Sequence, residues 1–129
     1  GANAILRIAR ILTAAELKKF SSIALTLGLD ILYEIHDEAD WLKIKALKPV
    51  IVGINNRDLD TFKVDIETTK ALAQKIKHDG ILVSESGIAT HDDLSRVRSY
   101  GATAVLVGES LMTQNNPGMA LRSVLKERR

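Results

Sequence analysis

"VIVGINNRD", residues 50–58, runs from an apolar stretch straight into four consecutive polar side chains, and the architecture turns on how that junction is read. Val50 to Ile54 is short, rich in Val and Ile and apolar on both faces, the pattern of a strand in a parallel sheet covered on both sides. Two amides, a guanidinium and a carboxylate then follow without a break. Buried polar groups are costly unless paired, so polar residues at a strand end form either a solvated turn or a site.

The same unit recurs outward in both directions, as "AILRI" (4–8), "DILYEI" (30–35), "ILVSE" (81–85) and "TAVLV" (103–107). Amphipathic helices are predicted between them. Thr13 and Glu16 have capping-box spacing, which opens a first helix that stops near Gly28. Asp37 caps a second, carrying Trp41, Leu42 and Leu47, and Pro49 marks its exit. Asp65 caps a third that runs to about Lys77, ahead of Asp79-Gly80. Thr90 with Asp93 opens a fourth ending at Gly101, and Pro117 fits the first turn of a fifth. Strict strand-helix alternation implies parallel strands with right-handed crossovers, closed either as an open doubly wound sheet or as part of a (β/α)8 barrel. No linker or low-complexity stretch divides the 129 residues, so they read as one domain.

Composition narrows the classes of function. With 46% hydrophobic and 26% charged residues and a net charge of +2, the chain has the profile of an ordinary globular protein. Its basic residues are scattered and aromatics make up only 4%, which leaves no stacking platform and excludes nucleic acid as the expected partner. No segment approaches the ~18 apolar residues of a membrane span. There is no cysteine, so neither a disulfide framework nor a thiolate metal site, in keeping with a reducing cytoplasm. His36, His78 and His91 lack the spacing of a zinc pair, and no metal site is expected. Gly1 stands where a Met would open a full gene product, so the chain reads as a piece cut from a longer one or as a processed product.

In open α/β sheets and in barrels alike, ligands bind at the carboxyl ends of the strands. The polar residues gather there: Glu34 after the second strand, Asn55 and Arg57 after the third, Glu85 and Ser86 after the fourth, Gly108, Glu109 and Ser110 after the fifth. Side chains alternate faces, so Leu32 and Glu34 share one, as do Ile51, Gly53 and Asn55, and Ile81, Val83 and Glu85, with Arg57 continuing the parity if the chain stays extended. Should those faces meet at a barrel axis, two carboxylates, an amide and a guanidinium converge, and the two glutamates should have pKa values pushed apart. "SESGIA" and "VGES" add backbone at Gly87 and Gly108 that can approach a phosphate, with the helix starting at Thr90 as a positive dipole end.

Each residue alone has a plainer reading. Glu34 fits a surface or capping glutamate, His36 a solvent-facing or helix-start residue, Trp41 core packing, and Arg57 with Asp58 an ion pair in an exposed turn. Ser86 and Ser110 lack a histidine for a hydrolase triad. Arg7, inside an apolar run, demands a partner if it faces the interior. Joint occurrence at four successive strand ends is what favours a site.

The stretches "ANAILRIARIL", "YEIHDEAD", "GINNRDLDTFKVD", "LVSESGI" and "AVLVGESLM", in this order and spacing, resemble the C-terminal half of indole-3-glycerol-phosphate synthase, a (β/α)8-barrel family. The resemblance spans essentially the whole chain. It implies a partial barrel, without its N-terminal strands, from a cytoplasmic enzyme of tryptophan biosynthesis. The family turns 1-(2-carboxyphenylamino)-1-deoxyribulose 5-phosphate into indole-3-glycerol phosphate with loss of carbon dioxide and water, with no cofactor or metal. It also implies Glu34 as the acid/base glutamate, Asn55 and Glu85 as catalytic-site lining, Arg57 as a contact for anionic substrate, and the two amides, Asn55 and Asn56, with Arg57 as the rim of the site. Ser86, Gly87, Gly108 and Glu109 match the phosphate turns, which bind through backbone amides.

The family's lysines come from strands that this sequence does not contain, and Arg7 stands where the family generally has an apolar residue of the indole pocket. Five strands of eight cannot close such a barrel, so an exposed apolar inner face is expected. It would be covered by the missing N-terminal half or by another copy, in a homodimer or a domain-swapped pair, the rival being a flattened sheet that covers its inner face with its own first or last helix, and the isolated chain is expected to be inactive. A non-catalytic phosphate-binding or self-assembling half barrel is the other reading.

Overall fold

In the computed structural model, residues 1–126 are described. Five strands, β1 (Ala4–Ile8), β2 (Asp30–Ile35), β3 (Ile51–Asn55), β4 (Ile81–Glu85) and β5 (Ala104–Leu106), form one sheet in the order β1-β2-β3-β4-β5. Every pairing is parallel. A doubly wound sheet reverses its strand order at a switch point, whereas a barrel adds each strand beside the last. The sequential order therefore makes this a partial (β/α)8 barrel.

The helices are α1 (Ala14–Thr26), α2 (Glu38–Ile44), α3 (Glu67–Lys75), α4 (His91–Ser99), α5 (Glu109–Met112) and α6 (Pro117–Leu125). Both predicted capping boxes form: Glu16 and Thr13 exchange hydrogen bonds at the start of α1, and Asp93 and Thr90 at the start of α4. Asp37 caps α2 through the Asp40 amide, and Gly28 leaves α1 at φ 69°. The third helix differs from the expectation. Asp65 accepts the Glu67 amide at 3.0 Å, but it stands one residue before the cap position, Ile66, and α3 ends at Lys75 rather than Lys77. Pro117 begins α6, capped by Asn116, while the short helix α5 ahead of it was not expected. Four residues are too few to show a helical period.

The outer face of the sheet carries the larger core. Tyr33, Ile35, Val52, Ile54 and Leu82 pack there against Leu17 and Ala24 of α1, Ile44 of α2 and Leu72 of α3, all 8% exposed or less. Trp41 is half-buried at the margin of this cluster with its ring edge-on to His78, while Leu42, on the same helix, is exposed. A second cluster of Ile66, Ile88, Val97, Ala102 and Val124 closes the layer over β4 and β5.

Arg7 also lies on the outer side. It pairs in register with Tyr33, its guanidinium sits 4.9 Å over the Phe20 ring, and it donates to the Phe20 carbonyl at 2.7 Å. It therefore does not form the wall of an inner pocket. The stem of the side chain covers apolar surface while the head finds a carbonyl.

The inner face is layered by the register. Leu6, Leu32, Ile51 and Ile81 form one row, Ile8, Glu34, Gly53, Val83 and Ala104 the next, and Asn55, Glu85 and Leu106 the row nearest the carboxyl ends. Leu6 is 44% exposed and Ile81 and Leu106 are 45% exposed, which is the open apolar face expected of an unclosed barrel.

Candidate functional site

Glu34, Asn55 and Glu85 come together on the inner face because the register leaves them no other side: Glu34 is level with Gly53, and Asn55 is level with Glu85. Asn55 Nδ2 donates to Glu34 Oε1 at 3.0 Å, and Asn55 Oδ1 accepts the Arg57 amide at 2.9 Å, which turns the chain out of the strand. Glu85 is 3% exposed and lays its carboxyl group over Gly53, where a Cβ would collide with Oε1. That oxygen is buried with no hydrogen-bond partner among the described residues. Burial, and secondly the negative charge of Glu34, push the Glu85 pKa up to about 7. A carboxyl group poised near neutrality can give or take a proton.

The four polar residues of the opening stretch go to four different places. Asn55 faces the inner cluster. Asn56, 1% exposed, faces outward: its amide donates to Ser84 Oγ and the Ser86 carbonyl, both at 3.0 Å, and its oxygen accepts from the Thr69 amide (3.1 Å) and hydroxyl (2.8 Å). Arg57 pairs with Glu109, 52 residues away. Asp58 accepts the amides of Thr61 and Asp60, which hold its pKa below the usual carboxylate range, and lies 3.7 Å from Arg10. Arg57 and Asp58 therefore do not pair with each other, because alternation along the chain sends them apart. His36 is not a solvent-facing residue either. Its Nδ1 is 2.8 Å from the Asn55 carbonyl and its Nε2 is 3.4 Å from Asp58, so it ties the loop after β2 to the loop after β3.

Beside the carboxylates lies a cavity of about 410 Å³, lined by Arg57, Ser86, Gly87, Gly108, Glu109 and Ser110 among others. Ser86 (φ 67°) and Gly87 (φ 77°) turn the chain through the left-handed region, and a Cβ at Gly87 would come within 2.6 Å of Val64 Cγ1. The Asn56 bond to the Ser86 carbonyl fixes this turn. Backbone exposed at such turns is a favourable seat for an anion. The start of α4 contributes less than expected, since the Ala89 and Thr90 amides already donate to Asp93 at 3.2 and 3.0 Å. Ser110 donates to the Ile88 carbonyl at 2.7 Å. Among the described residues no group of three potential ligands is placed to hold a metal ion, and no helix is long and apolar enough to cross a membrane.

All eight residues singled out in the sequence thus fall in two adjoining places, Glu34, Asn55 and Glu85 in one and Arg57, Ser86, Gly87, Gly108 and Glu109 in the other. Three contributors escaped that reading. Gly53 makes room for the Glu85 carboxyl group, and a glycine in mid-strand was a visible sign of close approach. Asn56 faces the outer side instead of joining Asn55 and Arg57 at the rim, and neither it nor His36 carried a signal of its place, since their partners are 13 to 30 and 19 residues away.

Comparison with solved structures supports the barrel assignment. The chain is similar to 3-hexulose-6-phosphate synthase (TM-score 0.76, 12% identity, 96% of this chain and 61% of that one). It is also similar to orotidine 5'-monophosphate decarboxylase from Sulfolobus solfataricus (TM-score 0.72, 15% identity, 97% and 60%). Identities this low speak to the fold alone. In sequence it is 41% identical over 127 residues to the indole-3-glycerol phosphate synthase of Polaromonas naphthalenivorans, covering 98% of this chain and 48% of that protein. It is 45% identical over 118 residues to that of Halalkalibacterium halodurans, covering 91% and 46%. The chain thus spans about half the length of these curated relatives. The family model described as "Indole-3-glycerol phosphate synthase" matches residues 1–124. The chain belongs to the indole-3-glycerol phosphate synthase family.

Proposed function

We propose that the chain is the C-terminal half of an indole-3-glycerol-phosphate synthase and carries the acid/base carboxylates and the phosphate seat of its site. In this reading the complete protein closes the ring of 1-(2-carboxyphenylamino)-1-deoxyribulose 5-phosphate, releasing carbon dioxide and water, in the cytoplasm as a step of tryptophan biosynthesis. The observation that carries it is the meeting of Glu34, Asn55 and Glu85 over Gly53, one strand from the Ser86–Gly87 turn.

The chemistry follows from that placement. Glu34 serves as the acid/base glutamate, while Glu85, with its raised pKa and an oxygen unpartnered among the described residues, lines the site as a second carboxyl group able to hold a proton beside the reacting atoms. Asn55 keeps the Glu34 carboxylate aimed inward. Arg57 and the backbone at Gly87 and Gly108 take the substrate's phosphate. The lysine that serves as general acid comes from the other half of the barrel, so the isolated chain does not turn over substrate.

Mixing this chain with a fragment that supplies the absent strands, and following indole-glycerol-phosphate formation, tests the reading. Turnover is expected only in the mixture. Two folded, associated halves that stay inactive would overturn it. The half-exposed Leu6, Ile81 and Leu106 favour a second role for the same face, self-association. Sedimentation of the chain alone at micromolar concentration should then show a dimer, and a folded monomer would rule that out.

A further inference from the structure

Among the described residues, the lining of the 410 Å³ cavity contains one cation, Arg57, and one anion, Glu109, and the two are paired with each other. Arg57 is held from behind by a long contact to the Phe62 carbonyl, at 3.4 Å, and its other guanidinium nitrogen meets the Glu109 carboxylate. Glu109 opens α5 directly after Gly108, so its side chain reaches across the cavity from the fifth strand end to the third. Its side chain is 73% exposed and that of Arg57 is 29% exposed, so Glu109 is the member of the pair with open solvent to move into.

We propose that Glu109 is a built-in competitor at the anion seat: its carboxylate occupies the Arg57 guanidinium, and an incoming phosphate must displace it to hold Arg57 together with the Ser86–Gly87 turn. This rests on the reading of the cavity as a phosphate seat given above. An anion that cannot also use the backbone at Gly87 and Gly108 gains too little to break the pair, so Glu109 sets a threshold that small stray anions do not pass. The competing carboxylate swings into solvent once displaced, where its exposure lets it be hydrated at little cost. With Glu109 paired the lining is neutral, and with it neutralised the lining carries the full charge of Arg57.

The test is a titration of the chain with inorganic phosphate, followed by the amide resonances of Gly87 and Gly108, for wild type, Glu109→Gln, Arg57→Gln and the double variant. Displacing an exposed ion pair is a small effect, so Glu109→Gln should bind phosphate about fivefold more tightly. Arg57→Gln should bind more weakly than wild type, and adding Glu109→Gln to it should restore almost nothing, because the gain acts through Arg57.

Equal or weaker binding by Glu109→Gln overturns the proposal. So does an equal gain with and without Arg57, which would mean that Glu109 acts only as a distant negative charge. Phosphate that fails to bind any of the four proteins overturns it together with the phosphate seat, whereas activity of the mixed halves is read separately and can survive either result. A gain of affinity is a readout that loss of a merely structural contact would not produce.

Discussion

Two adjacent asparagines serve the two sides of one sheet. Asn56, on the outer side, joins Ser84 and Thr69 in a network where its amide nitrogen gives two hydrogen bonds and its oxygen takes two, and Ser84 and Thr69 also bond each other at 2.8 Å. Asn55, on the inner side, touches a carboxylate and stands level with Glu85, a second one whose Oε1 finds no partner among the described residues and whose pKa is pushed up to about 7. The outer cluster is neutral and satisfied, which is how buried polar groups add stability. The inner cluster is charged and under-satisfied, which costs stability and leaves an atom ready for a ligand or a proton. The two buried polar clusters thus differ in whether their hydrogen-bonding capacity is spent.

The sharpest way to break this comparison is to truncate each asparagine. Asn56→Ala removes four hydrogen bonds within a dry layer, those with the Thr69 amide and hydroxyl, the Ser84 hydroxyl and the Ser86 carbonyl, and at about 1 kcal/mol for each lost bond it should cost roughly 3 to 4 kcal/mol. Asn55→Ala removes only two bonds, to Glu34 and the Arg57 amide, and by the same reckoning should cost about 2 kcal/mol. Urea unfolding of both variants measures the difference. Equal costs would erase the distinction drawn between the two sides.

Next in size is Glu85. Its carboxyl pKa lies above the unfolded value of 4.5, so the folded chain binds a proton that the unfolded chain has released. The group's contribution is therefore most favourable below pH 4.5 and is lost as pH rises to about 7, and the loss approaches about 3 kcal/mol. Glu85→Gln keeps the shape and removes the titration. It should match wild type near pH 4.5, exceed it by about 2 to 3 kcal/mol at pH 8, and lack the decline between those values. Parallel unfolding curves for the two proteins across that range would show that the inner carboxylates are not under electrostatic load.

The outline of all this was legible in the sequence where short-range rules operate. Runs of Ile, Leu and Val with capping residues between them located five strands and the helix starts at Thr13, Asp37 and Thr90, and period-two alternation placed Glu34, Asn55 and Glu85 on one face. What escaped depends on contacts between distant segments. The side taken by Arg7 is set by the strand register, and its partner Phe20 lies on a helix. The partner of Arg57 is 52 residues off, and the neighbouring Asp58 looked the simpler choice only because it was adjacent. Likewise α5 has no amphipathic period to reveal it, being fixed by its place after β5.

The smallest effect tests the seam between the two sides, which His36 closes. Its Nδ1 meets the Asn55 carbonyl at 2.8 Å and its Nε2 lies near Asp58, so the imidazole holds the backbone of the residue whose side chain orients Glu34. His36→Ala removes one hydrogen bond at a partly solvated position and should cost about 1 kcal/mol of stability in urea unfolding. If the imidazole also positions Asn55, complemented activity should fall further than that loss explains, with kcat reduced more than KM is raised. His36→Gln, which can still donate to the carbonyl, should recover part of the activity. A variant that loses stability but keeps kcat would confine His36 to bracing the loop, and the boundary between satisfied structure and reactive site would then run between Asn55 and its own backbone.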